Sequence, residues 1–305
     1  MALVHSHQLS KSFGGAPAVQ GVSLRIEPGE CFGLLGPNGA GKSTIINMIY
    51  GVVHRTGGEL TVFGHDPSTQ SRSIKKRLGV VTQDNALDES LTVEENMLLY
   101  AAFQGLPAAT RAKRVRELLE YMNLAHKADS RIQTLSGGMR RRLVFVRALL
   151  GEPELVILDE PTTGLDPAVR HLIWGKVKEL RARGTTVILT THYMHEAEIL
   201  CDRLSILNQG KLVALGTPAE MIKAHTPGFV GIFSKNDEAR LKAVTAGFAK
   251  ADVVEDSSGF HVRVPELAQL TSIYQSHGLN PLQIRPANLE DVFLKITGQE
   301  LMSDA

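Results

Sequence analysis

The chain has 305 residues, of which 43% are hydrophobic and 21% charged, with a formal net charge of +1. That length allows one large α/β domain and a smaller second one around a substantial core. A balance so close to neutral provides no global field for nucleic acid or an anionic membrane, so nucleic acid is not an expected partner.

No apolar run approaches the roughly 20 residues that a membrane-spanning helix requires. The opening MALVHSHQLSKSF lacks a long apolar stretch behind a basic segment, so it does not read as a secretory signal and the chain is expected to stay in the cytoplasm. Cys31 and Cys201 sit in apolar contexts and read as buried reduced thiols rather than a disulfide.

Strands are predicted at residues 3–9, 21–26, 30–35, 59–63 and 79–82. Between the third and fourth, a Gly-rich turn leads into a helix over residues 42–50 with Ile45, Ile46 and Ile49 on one face. The turn and helix start read Gly36-Pro37-Asn38-Gly39-Ala40-Gly41-Lys42-Ser43-Thr44. This is the pattern of a phosphate-binding loop, whose glycines let successive backbone N–H groups face phosphate oxygens. Lys42 would reach the outer phosphates, Ser43 would offer a hydroxyl to Mg²⁺, and the helix would turn its positive end toward the anion.

From residue 91 to residue 150 the pattern turns helical, with Val115, Leu118, Leu119 and Met122 forming an apolar stripe. An inserted helical lobe at about 84–150 is the reading. Within it Leu135-Ser136-Gly137-Gly138-Met139 precedes an apolar helix, and taken alone the segment is a Ser N-cap with flexible glycines. A strand at 155–158 follows and ends in Asp159-Glu160. There Asp159 can organise Mg²⁺ while Glu160 polarises a water beside the terminal phosphate. A helix with Val169, Leu172, Ile173, Val177 and Leu180 inward, stopped by Gly184, leads to a strand at 186–190.

Strands separated by amphipathic helices imply an α/β fold with a mostly parallel sheet covered on both faces, binding its ligand at the strand ends. Beyond about Pro227 the texture changes to short strands and helices at 229–233, 237–246, 252–255, 260–264, 266–277, 282–285 and 289–296, a small α/β appendage. The expected division is residues 1–225 and 226–305.

A phosphate loop, an LSGG segment and an apolar strand ending in Asp-Glu, in that order, resemble the ATP-binding cassette (ABC) family over roughly residues 1–225. The resemblance implies a P-loop ATPase fold in which an antiparallel β subdomain and an inserted helical subdomain flank the parallel sheet. ATP and Mg²⁺ are the implied cofactors, with Ser43, Gln83 and Asp159 around the metal. In that family two cassettes face head to tail, and the signature of one closes on the nucleotide of the other. Ser136, Gly137 and Gly138 would then contact the partner's site, and Asp166 would reach across while also capping its helix. Since each motif occurs once, the chain must pair with another, most simply as a homodimer.

Further positions follow from the same resemblance. Phe13 stands where an aromatic residue stacks on adenine, and its other reading is a plain core Phe. Gln83 matches the glutamine that approaches Mg²⁺ and water and begins the segment facing the membrane partner, although elsewhere it would be a surface Gln. His192 matches the histidine that touches the terminal phosphate and holds the catalytic glutamate. His195 makes a His-x-x-His pair with it, but no third ligand follows at suitable spacing and a metal site is rejected. The family's signature usually continues with Gln and then a Gln-Arg pair, whereas Met139, Arg140, Arg141 and Arg142 stand here. Those arginines are read as a solvated basic helix face in preference to a special contact.

The Met139 signature, the string DEPTTGLDP at 159–167, THYMHEAE at 191–198 and the ending from Arg285 to Gly298 resemble bacterial drug and nodulation-factor exporters. The branch implies an ATPase subunit at the cytoplasmic face of the inner membrane, powering a separate integral permease. An importer ATPase and a soluble cassette protein remain the alternatives.

Overall fold

The computed structural model describes residues 2–83, 86–245, 252–255 and 259–298. Residues 84 and 85 of the expected helical lobe, residue 246 of a predicted tail helix and the end beyond 298 lie outside the described residues. The chain divides into two compact units, Met1–Leu215 and Gly216–Ala305.

The first unit opens with β1 (Val4–Phe13) and β2 (Ala16–Ile26), then β3 (Cys31–Leu35), α1 (Lys42–Ile49), β4 (Gly57–Val62), α2 (Pro67–Lys75) and β5 (Leu78–Val81). Strands β2-β1-β4 form an antiparallel sheet. Its first strand runs on to Phe13 because register shifts after Ser6 and Leu9 absorb the polar stretch where alternation fails. After β5 come the helices α3 (Val93–Phe103), α4 (Ala108–Tyr121) and α5 (Gly137–Ala148). The stripe read from the sequence is buried, with Val115 and Met122 fully enclosed.

The chain then alternates through β6 (Leu155–Asp159), α6 (Pro167–Ala182), β7 (Thr186–Thr190), α7 (Met194–Leu200), β8 (Arg203–Asn208) and β9 (Lys211–Gly216). Six strands form one sheet in the order β5-β6-β7-β3-β8-β9. The pairs β5–β6, β6–β7, β3–β7 and β3–β8 are all parallel. Strands β3 and β7 are buried along their whole length, which explains their unbroken apolar runs: a parallel sheet is covered on both faces. Cys31 and Cys201 are free and buried.

In the second unit the elements are α8 (Pro218–His225), β10 (Phe229–Phe233), α9 (Glu238–Thr245), β11 (Asp252–Glu255), β12 (Phe260–Val264), α10 (Leu267–His277), β13 (Gln283–Pro286) and α11 (Leu289–Thr297). The order β11-β12-β10-β13, with antiparallel pairing throughout, makes β10 to β13 a βαββαβ ferredoxin-like sheet. Leu241, Leu270 and Ile273 from its two helices pack on Phe233, Phe260, Val262 and Val264. Toward the other face, Arg285 grips the fully buried Asp291 through two hydrogen bonds of 2.6 and 3.1 Å, and Arg263 lies 3.8 Å from the same carboxylate. The same Asp291 completes a capping box with Asn288, which fixes the start of α11.

Candidate active site

Sheet order assembles the site. Strands β5, β6, β7 and β3 are parallel neighbours, so the segments leaving their carboxyl ends lie side by side whatever their separation in sequence. Those segments carry Gln83, Asp159 with Glu160, His192, and the Gly-rich loop.

The loop wraps around its own lysine. Lys42 is only 8% exposed, and its Nζ donates to the carbonyls of Gly36 at 2.7 Å and Pro37 at 3.1 Å. Burial draws this ammonium below its ordinary range, while the charges of Glu160 and Asp159 act the other way. A Cβ at Gly36 would stand 2.4 Å from the Leu207 carbonyl oxygen, so only glycine lets the loop lie against β8. Asn38, Gly39 and Ser43 are exposed, Ala40 is buried, Gly41 caps α1, and Thr44 is half-buried.

Glu160 occupies a left-handed backbone conformation, φ 47°, which costs a non-glycine residue on the order of 1 kcal/mol and tends to mark functional sites. Three donors meet at its Oε2: Gln83 Nε2 at 3.5 Å, His192 Nδ1 at 3.4 Å and Thr163 Oγ1 at 3.3 Å. The His192 hydrogen bond, opposed by partial burial and aided by the charges of His192 and Lys42, holds the carboxyl below the usual carboxylate range. It is therefore ionised at neutral pH.

Thr190 and Glu196 were not singled out from the sequence. The buried Thr190 hydroxyl donates to Asp159 Oδ1 and accepts from the Glu160 backbone N–H at 3.1 Å, orienting the Asp159 carboxylate and holding the backbone of Glu160. Fully buried, Glu196 accepts from Thr162 Oγ1 at 2.8 Å and Trp174 Nε1 at 2.7 Å, tying the turn after Glu160 to α7 and α6. No sequence signal sets Glu196 apart, because His195 and Glu198 make its helix turn look polar.

The basic face assigned to Arg140, Arg141 and Arg142 needs correcting. Arg141 is 5% exposed and donates to the carbonyls of Thr82, Gln83, Asp159, Glu160 and Pro161 at 2.5 to 3.2 Å. Arg140 donates to the Gln133 carbonyl and Arg142 to that of Met122, both at 3.1 Å. Burial of the Arg141 guanidinium is tolerated because carbonyl oxygens line its pocket, whereas Arg140 and Arg142 are half-buried. Farther along α5, the buried Arg147 donates to the Ala86 carbonyl at 2.6 Å and lies 4.1 Å from the Tyr100 ring centroid.

Ser136, Gly138 and Asp166 make a second cluster. Ser136 caps α5 by accepting from the Met139 N–H at 3.3 Å, and Gly137 is exposed beside it. Gly138 packs against Val169, and Asp166 caps α6 by accepting from the Val169 N–H at 2.9 Å. Phe13, at the end of β1, is 50% exposed, with Lys11 Nζ 4.7 Å from its ring centroid.

The family model described as ABC transporter matches residues 19–163. The Nod factor export ATP-binding protein I of Burkholderia pseudomallei (strain K96243) is 42% identical over 303 residues, 99% of each chain. That of Rhizobium sp. (strain N33) is 43% identical over 96% of each. The chain belongs to the ABC transporter family, as an ATP-binding subunit. An ABC ATPase, it binds and hydrolyses ATP. A solved ATP-binding subunit of an ABC transporter is similar at 32% identity and TM-score 0.67, over 73% of this chain and 92% of that one. A dimeric cassette in a post-hydrolysis state, bound to ADP and Pi, is similar at 28% identity and TM-score 0.64, over 70% and 98%. The P-loop cassette fold expected from the sequence is the fold observed.

The residues present fit the nucleotide. A buried ammonium held by two of its own loop's carbonyls keeps its charge and a third N–H for phosphate oxygens. A hydroxyl at Ser43, a carboxylate at Asp159 and an amide oxygen at Gln83 are the hard donors that Mg²⁺ prefers. Among the described residues no group of three His, Cys, Asp or Glu side chains forms a metal cluster. Mg²⁺ shared with phosphates requires none.

Proposed function

We propose that this ABC ATPase powers export through a separate integral permease, working as a pair of identical chains at the cytoplasmic face of the inner membrane. The observation that carries the export assignment is identity above 40%, over nearly the whole chain, to proteins named for Nod factor export. A membrane partner in a second chain is supported by the lack, among the described residues, of any helix long and apolar enough to cross a bilayer. The residues beyond the cassette form its accessory domain.

In this reading the loop from Gly36 to Thr44 encloses the phosphates, Lys42 binds the outer ones, and Phe13 stacks on adenine through its exposed ring. Ser43, Asp159 and Gln83 hold Mg²⁺, which when bound neutralises phosphate charge. Glu160 orients and polarises the attacking water as an ionised base, and His192 holds that carboxylate toward it. Ser136, Gly137, Gly138 and Asp166 complete the partner's site, with the N-terminus of α5 turned to its terminal phosphate. Closure on ATP and reopening after hydrolysis drive the permease between its two states.

Affinity capture of the full chain from detergent-solubilised membranes tests the transport assignment. An integral membrane protein is expected to come with it, and recovery of ribosomes alone, resistant to salt, would contradict it. Lys42→Ala is expected to lose Mg-ATP binding at least tenfold while remaining folded, measured by titration.

A further inference from the structure

We propose that Arg141 is a positioning residue for hydrolysis: it locks Glu160 and Gln83 in their working backbone conformations and ties both to the helix that carries Ser136 and Gly138. One buried guanidinium collects carbonyls from two separate turns, Thr82 and Gln83 after β5, and Asp159, Glu160 and Pro161 after β6. These residues lie 18 to 59 positions away along the chain, so nothing local brings them to Arg141.

Three observations point to geometry rather than bulk. Glu160 holds a left-handed φ of 47°, a conformation that persists in a non-glycine residue only where surrounding contacts over-determine it. Arg141 supplies such contacts at Glu160 itself and at both neighbours. The carbonyl of Gln83, whose side chain approaches the same Glu160 oxygen at 3.5 Å, is bound by the same group at 3.2 Å. Finally, Arg141 sits on α5 one turn beyond Gly137 and Gly138, so any shift of that helix end is passed to the Glu160 backbone. Only Arg has a planar fork of five N–H donors, while Lys offers three from a point and Gln two.

The proposal rests on Glu160 as the water-polarising residue, and the test separates the two. Turnover at saturating Mg-ATP, Mg-ATP affinity and melting temperature are measured on the full chain for wild type, Arg141→Lys, Arg141→Gln and Glu160→Gln. The expected series is wild type, then Lys, then Gln, with turnover of the Gln variant down about 10- to 100-fold and affinity within about twofold. A purely structural Arg141 would lower the melting temperature yet leave turnover per nucleotide-binding molecule unchanged, which overturns the proposal. So does a loss of affinity as large as the loss of turnover, or failure of both Arg141 variants to give a nucleotide-binding chain. Wild-type turnover by Glu160→Gln would instead remove the Glu160 assignment, whatever the Arg141 variants do.

Discussion

Two glycines in the phosphate loop should respond very differently to the same added methyl group. Gly39 has φ +79° with nothing within 4 Å of a built Cβ, so Gly39→Ala pays only for the left-handed backbone, about 1 kcal/mol. At Gly36 the Cβ would stand 2.4 Å from the Leu207 carbonyl oxygen and 2.9 Å from the Ala40 Cβ. Both neighbours are fixed, one by the sheet and the other by the loop, so the loop must move. Overpacking of that kind costs about 1–3 kcal/mol, and with backbone strain the total is roughly 2–4 kcal/mol. Urea unfolding and Mg-ATP titration of the two variants are the assay. Gly36→Ala is expected to lose at least tenfold in affinity, about 1.4 kcal/mol, and Gly39→Ala no more than about fivefold. Equal losses in the two, or wild-type affinity in Gly36→Ala, would refute the reasoning.

Two further outcomes test packing and charge. Asp66, at the N-terminus of α2, is bound by Arg55 through contacts of 2.7 and 2.8 Å, and this hydrogen-bonded pair lowers its carboxyl from 3.8 to about 2. A depressed carboxyl stabilises above its unfolded value and loses that contribution as pH falls through the folded one. Discounted for an exposure of about one third, Asp66→Asn should cost about 1 kcal/mol at pH 7, the gap closing between about pH 4 and pH 2. A gap that persists in strong acid would contradict this. Asp291→Ala strips the buried Arg263 and the half-buried Arg285 of a shared carboxylate and breaks the cap of α11, so unfolding free energy should drop by about 3 kcal/mol. A loss under about 1 kcal/mol would show that solvent replaces the pair.

The phosphate loop and the Asp159-Glu160 strand end were legible because the constraints are local: glycines at fixed spacing, and apolar residues closing on two carboxylates. Strand positions in the second unit were legible too, but not the ferredoxin-like order, since pairing depends on partners distant along the chain. Helix α2 is hard to see in the sequence although Asp66-Pro67 is a start signal, because its polar sequence has little apolar stripe. The place of Arg141 is illegible for a deeper reason: three consecutive arginines look solvated until folding brings the carbonyls of two other turns against one of them. The asymmetry recurs at Thr190, an ordinary strand residue in sequence whose hydroxyl links the Asp159 carboxylate to the Glu160 backbone N–H in the fold.

Whether Glu160 activates the attacking water between two chains is decided by Glu160→Gln, incubated with Mg-ATP and followed by sedimentation and phosphate release. The amide keeps the size and the left-handed backbone of the residue but cannot accept a proton. A dimer that forms only with ATP and retains it unhydrolysed is the expected result. Wild-type phosphate release, or a chain that stays monomeric with nucleotide bound, would contradict it.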